Sequence, residues 1–188
     1  MIDTNWIIGI AAGLVLLIVI LVPLISRRQK AKKLRSAFGS EYDRTVKTLG
    51  DEKKAQAELQ ERQKHVKSLT IRPLTVVERA RYLSDWNDVQ SKFVDEPGKA
   101  IGDADRLITE VMLLRNYPLS DFEQRAADIS VSYPELATNY RAAKVIAFKN
   151  GQGLADTEEL RQAMIYYRTL FEELLGKDPV IKEEEAIK

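Results

Sequence analysis

The chain has 188 residues, 45% of them hydrophobic, a formal net charge of +1, one histidine and no cysteine. Missing cysteine excludes disulfides, thiolate metal sites and cysteine nucleophiles together. The near-zero charge hides a split: after residue 35 there are 23 basic side chains against 27 acidic ones, a balance that excludes generic phosphate-backbone binding.

The segment from Trp6 to Ile25 carries no charge, and fourteen of its residues are Leu, Ile or Val. As a helix it is about 30 Å long, which matches the hydrocarbon core of a bilayer. It predicts a transmembrane helix at 6–25. A cleaved signal peptide would need a basic start, a shorter apolar run and small residues at a cut site, and none of these is present. Six basic residues follow within nine positions: Arg27, Arg28, Lys30, Lys32, Lys33 and Arg35. The N-terminal flank holds only Asp3. The positive-inside rule therefore predicts a bacterial inner-membrane protein with residues 1–5 outside and the C-terminal domain in the cytoplasm. Exported placement with reversed topology is the competing expectation. The basic cluster reads as a topology signal that can also touch anionic headgroups. Gly9 and Gly13 form a G-x-x-x-G inside the span, a pattern that lets two helices approach closely and points to weak self-association.

Beyond the span the spacing is helical, and no stretch alternates with period two. Leu34, Phe38, Tyr42, Val46 and Leu49 fall on one stripe of a helix from Arg27 to Leu49, with Gly39 and Gly50 as weak points. Asp51–Leu69 is mostly charged, with a thin seam of Ala55, Leu59, Val66 and Leu69. Pro73 forces Arg72 into an extended conformation and ends it. Residues 26–69 thus read as a basic and charged connector, 70–176 as a helical domain and 177–188 as a flexible tail.

Thr75-Val-Val-Glu78 has the form of a capping box. Tyr82, Trp86, Val89 and Phe93 follow it as a core stripe. Asp95-Glu96-Pro97 ends that helix and starts the next, whose wide apolar face runs from Ala100 to Leu114. Asn116-Tyr117-Pro118 stops it. Ser120–Glu123 and Ser132–Glu135 have capping-box spacing and open two further helices, the second reaching about Asn150 with Gly151 as its C-cap. Asp156–Glu159 opens the last, which carries Leu160, Met164, Tyr167, Phe171 and Leu174 and ends at Gly176. The expected fold is all-α: a transmembrane helix followed by a soluble antiparallel bundle or array of about five or six helices.

The tests for chemistry find little. Position 62 is Arg, so His65 cannot belong to a Glu-x-x-His pair. It reads as a surface histidine. Asp95, Glu96, Asp103 and Asp105 straddle a helix start, where acids complement the helix dipole, and lack the spacing of a calcium loop. There is no phosphate loop and no nucleophile elbow. Gln90, Asp105, Arg106, Arg125, Asp128, Asn139 and Arg141 recur beside apolar stripes, as interhelical pairs or as a solvated face. No cofactor, metal or catalytic residue is expected.

The strings FGSEYDRTV (38–46), WNDVQSKFVDEPGKAIGDADRLITEVMLLRNYP (86–118), DFEQRAADISVSYPELATNYRAA (121–143) and LRQAMIYYRTLFEELL (160–175) resemble an uncharacterised bacterial family of small proteins, commonly labelled hypothetical or secreted. The resemblance spans about residues 34–176 and implies an apolar N-terminal segment but no activity. The family has Asp-His-Pro where Ser132-Tyr133-Pro134 stands here, and Ala-His where Ala143-Lys144 stands. The expectation is a protein-interaction, scaffold or regulatory module with a protein partner and no nucleic acid. Its expected contact surfaces are the charged helix 51–69 and any aromatic left exposed near Trp86 or Tyr166-Tyr167. The alternative is a lipid or small-molecule binder with a pocket near Met112, Met164, Tyr167 and Phe171.

Overall fold

The structure is a computed structural model that describes residues 28–118 and 121–176, together with Leu17. The described residues form helices and no strand. Among them no helix is long and apolar enough to cross a membrane. The expected span at 6–25, with Gly9 and Gly13, lies outside the described residues apart from Leu17, as do Arg27 and the tail 177–188.

The chain divides into two compact units, Met1–Leu59 and Gln60–Lys188. In the first, residues 28–38 are helical, and Gly39 breaks the helix with φ 48° before α1, Ser40–Leu49. Leu34, Phe38 and Tyr42 of the expected stripe are buried, whereas Leu49 is exposed. Gly50, left-handed at φ 66°, ends α1, and its N–H donates to the Val46 carbonyl. A side chain there would clash with its own backbone, which is why glycine serves as the stop. Next comes α2, Glu52–Ser68, which continues into the second unit. Within the first unit the Tyr42 hydroxyl donates to Glu52 Oε1 at 2.7 Å and accepts from Gln56 Nε2 at 3.1 Å, tying α1 to the start of α2.

Five helices follow: α3 Val76–Asp95, α4 Pro97–Leu114, α5 Phe122–Ser132, α6 Pro134–Gly151 and α7 Thr157–Leu175. The capping boxes at Thr75–Glu78 and Asp156–Glu159 are both formed, side chain to backbone in each direction. Two other expected boxes are corrected. Asp121, rather than Ser120, caps α5, accepting from the Gln124 N–H at 2.8 Å. Ser132 lies in the last turn of α5, not at the start of α6. Pro134 is the first residue of α6, and its ring keeps Tyr133 out of the helical region, at φ -139° and ψ 71°, so a one-residue joint separates the two helices. Gly151 is still helical, and the turn to α7 runs through Gln152 and Gly153, whose φ is 70°.

The helices pack as α3 on α4, α4 on α7, α7 on α6, and α6 on α5, with α4 also meeting α6. The core lies along α4 and α7. Ile101, Ile108, Val111 and Met112 meet Tyr167, Leu170, Phe171 and Leu174 there. Trp86 stacks on Phe171 with ring centroids 4.6 Å apart, and Tyr140 meets Tyr167 edge-on at 6.3 Å. Burial of each such side chain contributes about 1.5–3 kcal/mol. The extended stretch before α3 is stitched to the C-terminus of α4. The Arg72 N–H donates to the Arg115 carbonyl at 3.1 Å, and Arg115 Nε returns a bond to the Arg72 carbonyl. Buried Arg115 also donates to the Leu174 carbonyl at 2.7 Å, supplying a partner for an otherwise orphaned group in the last turn of α7.

Candidate functional site

The described members of the basic cluster, Arg28, Lys30, Lys32, Lys33 and Arg35, are all exposed on the helix 28–38. Arg35 pairs with Asp43 at 2.9 Å and lies over the Tyr42 ring at 5.8 Å. Three of the four acids that might have suggested a cation are taken up by cations of the protein. Asp103 faces Lys92 and Arg106, Glu96 faces Lys99, and Asp105 accepts from Lys144 at 2.6 Å and from the Tyr167 hydroxyl at 3.1 Å. No group of three or more metal-ligating side chains occurs among the described residues.

Several polar residues that the sequence left between two readings prove to be interhelical. The Asp105–Lys144 pair joins α4 to α6, and Arg141 Nε of α6 reaches Glu123 of α5 at 3.2 Å. Burial and the neighbouring Asp105 carboxylate push the Tyr167 hydroxyl well above the usual phenol range, so it stays protonated and donates to Asp105. Burial likewise raises Tyr140. Asp128 is fully buried and accepts from Gln124 Nε2 at 2.8 Å. Burial raises its carboxyl above the usual carboxylate range, against the pull of Gln124 and His65. His65 is therefore more than a surface histidine: its Nε2 lies 3.6 Å from Asp128 Oδ1. Sequence missed this because the two residues are 63 positions apart, and nothing local marks Asp128 as buried.

Cavities open on the second unit. One, of about 330 Å³, lies between α3 and α4 and is lined by Asp85, Asp88, Lys92, Asp103, Arg106 and Glu110. Its charges are largely cross-paired, as Arg106 bonds Asp103 at 3.0 Å and approaches Glu110 at 3.7 Å. Another, of about 440 Å³, is lined by Gly102 and Asp105 of α4 and by Lys144, Ala147, Phe148 and Gly151 of α6. The pocket expected near Met112, Met164, Tyr167 and Phe171 is corrected, since all four side chains are buried in the packed core. The aromatics named as contact residues if left exposed do not meet that condition. Trp86 and Tyr167 are buried, and Tyr166 is half-buried against the core.

Apolar exposure lies elsewhere. Tyr82, Trp86 and Val89 turn α3 towards the core, and Asp85, Asp88 and Lys92 line its acidic flank beside α4. The other flank carries Val76, Ala80, Leu83, Asn87 and Val94, all exposed, with Gln90 half-buried among them. None of these is charged. Val94 is 81% exposed and Val76 55%. At 100° per residue this stripe is centred about 110° round the helix from the core stripe. With α3 packed mainly on α4, it is an edge helix with an unpartnered uncharged face. The sequence held this signal as a second series of positions on α3, but only the packing shows which of its two uncharged series faces inward.

No family model, curated protein or solved structure matches this chain.

Proposed function

We propose that this protein is a single-pass membrane-anchored interaction module whose cytoplasmic helical domain binds protein through the exposed face of α3. The observation that carries the reading is that uncharged face on an edge helix. Supporting it are the uncharged run 6–25 and the six basic residues after it, which suit a bitopic anchor with a cytoplasmic domain. The ionisable groups of the bundle interior serve packing: Asp105, Lys144 and Tyr167 satisfy one another across three helices. The resemblance to uncharacterised bacterial small proteins adds no activity to this.

The test is proximity labelling with a biotin ligase fused after Lys188, which requires cytoplasmic ATP. Robust labelling of cytoplasmic neighbours is expected. A full-length fusion in the membrane fraction that labels nothing would refute the topology.

A second reading, a lipid or small-molecule binder, is favoured by one observation. The 440 Å³ cavity combines an ion pair with apolar wall atoms, and Phe148 at its rim is 67% exposed. A ligand co-purifying with the full chain and lost in Phe148→Asp would support it.

A further inference from the structure

We infer that residues 60–68 of α2 form a proton-controlled latch on α5, closed when His65 carries a proton against Asp128 and loosened when it does not. The inference goes beyond the interaction reading above and stands whether or not the α3 face binds protein.

α2 enters the second unit at Gln60, and from there to Ser68 none of its residues is buried. Arg62, Gln63, His65 and Val66 are half-buried, so the inward stripe of this stretch is three polar side chains and one aliphatic. With so little apolar area covered, the polar contact decides how tightly the stretch is held. That contact is Asp128. The core positions of α5 are Ala126 and Ile129, and at 100° per residue Asp128 lies about 130° round the helix from them. Its carboxylate is nevertheless fully buried, and there it meets α2. Asp128 Oδ1 accepts from Gln124 and stands 3.6 Å from His65 Nε2, just beyond hydrogen-bond range. Asp128 Oδ2 and His65 Nε2 are both buried without a hydrogen-bond partner among the described residues. Native interiors rarely leave such atoms unmatched. A hydrogen on Nε2 gives the imidazole a donor for the carboxylate. The neutral ring can carry it too, but only the imidazolium also balances the buried negative charge.

Both partners give the same sign. Imidazole changes charge between about pH 5 and 8, and the His65 side chain is 41% exposed although its Nε2 is buried, so the rest of the ring exchanges protons with solvent. Burial raises the Asp128 carboxyl, so the closed latch binds protons more readily than an open one in which water reaches the carboxylate. Acid therefore closes the latch and alkali loosens it. The charges around the pair are constant across that range. Arg62 of α2 faces Asp128 and stays cationic. Glu61 is engaged by Lys64 at 2.6 Å, both exposed, and Arg141 of α6 by Glu123 of α5 at 3.2 Å. Arg125 of α5 lies by Tyr140. Opening bares Asp128 and the inward stripe of 60–68, part of the charged helix, to any partner.

The chain has one histidine, so a single substitution removes every imidazole. Amide hydrogen exchange of the full chain in detergent, read by mass spectrometry on peptides covering 60–68, is compared at about pH 5.5 and about pH 8 after correction for intrinsic exchange. A charge-assisted hydrogen bond is about twice as strong as a neutral one, so protection of 60–68 is expected to be about tenfold higher at the lower pH. In His65→Gln and in Asp128→Asn that difference is expected to vanish, while peptides from α4 and α7 keep wild-type protection at both pH values. His65 is half-exposed and asparagine matches aspartate in shape, so the fold survives both changes, and the α4 and α7 peptides check this. Equal protection of 60–68 at the two pH values in the wild type would overturn the proposal. So would a pH difference that survives in His65→Gln, or one shared by the α4 and α7 peptides, which reports opening of the whole bundle.

Discussion

Replacing Glu78 separates two jobs that one carboxylate does at the entrance to α3. Its oxygens accept two bonds from the Arg72 guanidinium, at 2.9 and 2.7 Å, and one from the Thr75 N–H at 2.9 Å. The bond from Arg72 is the main reason its carboxyl is lowered from 4.5 to about 2. One pKa unit corresponds to about 1.36 kcal/mol, so the pairing stabilises the native state by at most about 3 kcal/mol. Both side chains are nearly a third exposed, and screening by water reduces this to about 1–2 kcal/mol. Glu78→Gln keeps the capping box, since glutamine suits the same position, but loses the charge. It is expected to cost about 1–2 kcal/mol at pH 7. Glu78→Ala loses the cap as well, for a further cost of about 1 kcal/mol. The pH dependence fixes the sign. The folded carboxyl is depressed, so its contribution is fully present above pH 4.5 and is lost as pH falls towards about 2. Urea titrations of the full chain in detergent, followed by far-ultraviolet circular dichroism at a series of pH values, measure this. The difference between wild type and Glu78→Gln should shrink to nothing across that window. A Glu78→Gln variant as stable as wild type at pH 7, or a difference that persists at pH 2, would refute the reasoning.

Two further expectations concern the interior. Phe171→Ala removes a fully buried ring and the stacking partner of Trp86, and should destabilise the domain by about 3–5 kcal/mol, with a matching change in Trp fluorescence. Asp128 has its carboxyl raised by burial, so the charged form weighs against the fold above the unfolded value of 3.8. Asp128→Asn should therefore be more stable than wild type at neutral pH, with the gain fading as pH falls towards that value and gone below it. An Asp128→Asn variant less stable than wild type at pH 7 would instead show that the contacts of the carboxylate with Gln124 and His65 outweigh the cost of burying it.

The sequence by itself determined the all-α class and most helix ends. Capping boxes, prolines and left-handed glycines act within a few residues, so Thr75, Asp156, Gly39, Gly50 and Gly176 could be read locally. The core stripes of α3, α4 and α7 were legible for the same reason: the period of a helix is a local property. Local reasoning failed at Ser132, where spacing suits a cap but Pro134 restricts the residue before it and moves the joint to Tyr133. Tertiary structure decided everything that depends on residues far apart in the chain. Asp128 and His65 meet, Arg115 reaches Arg72 and Leu174, and Asp105 collects Lys144 and Tyr167 only because packing brings their helices together. It also decided which of the two uncharged series on α3 is core and which is surface. Both satisfy the helical period, and only the position of α4 and α7 against Trp86 breaks the tie.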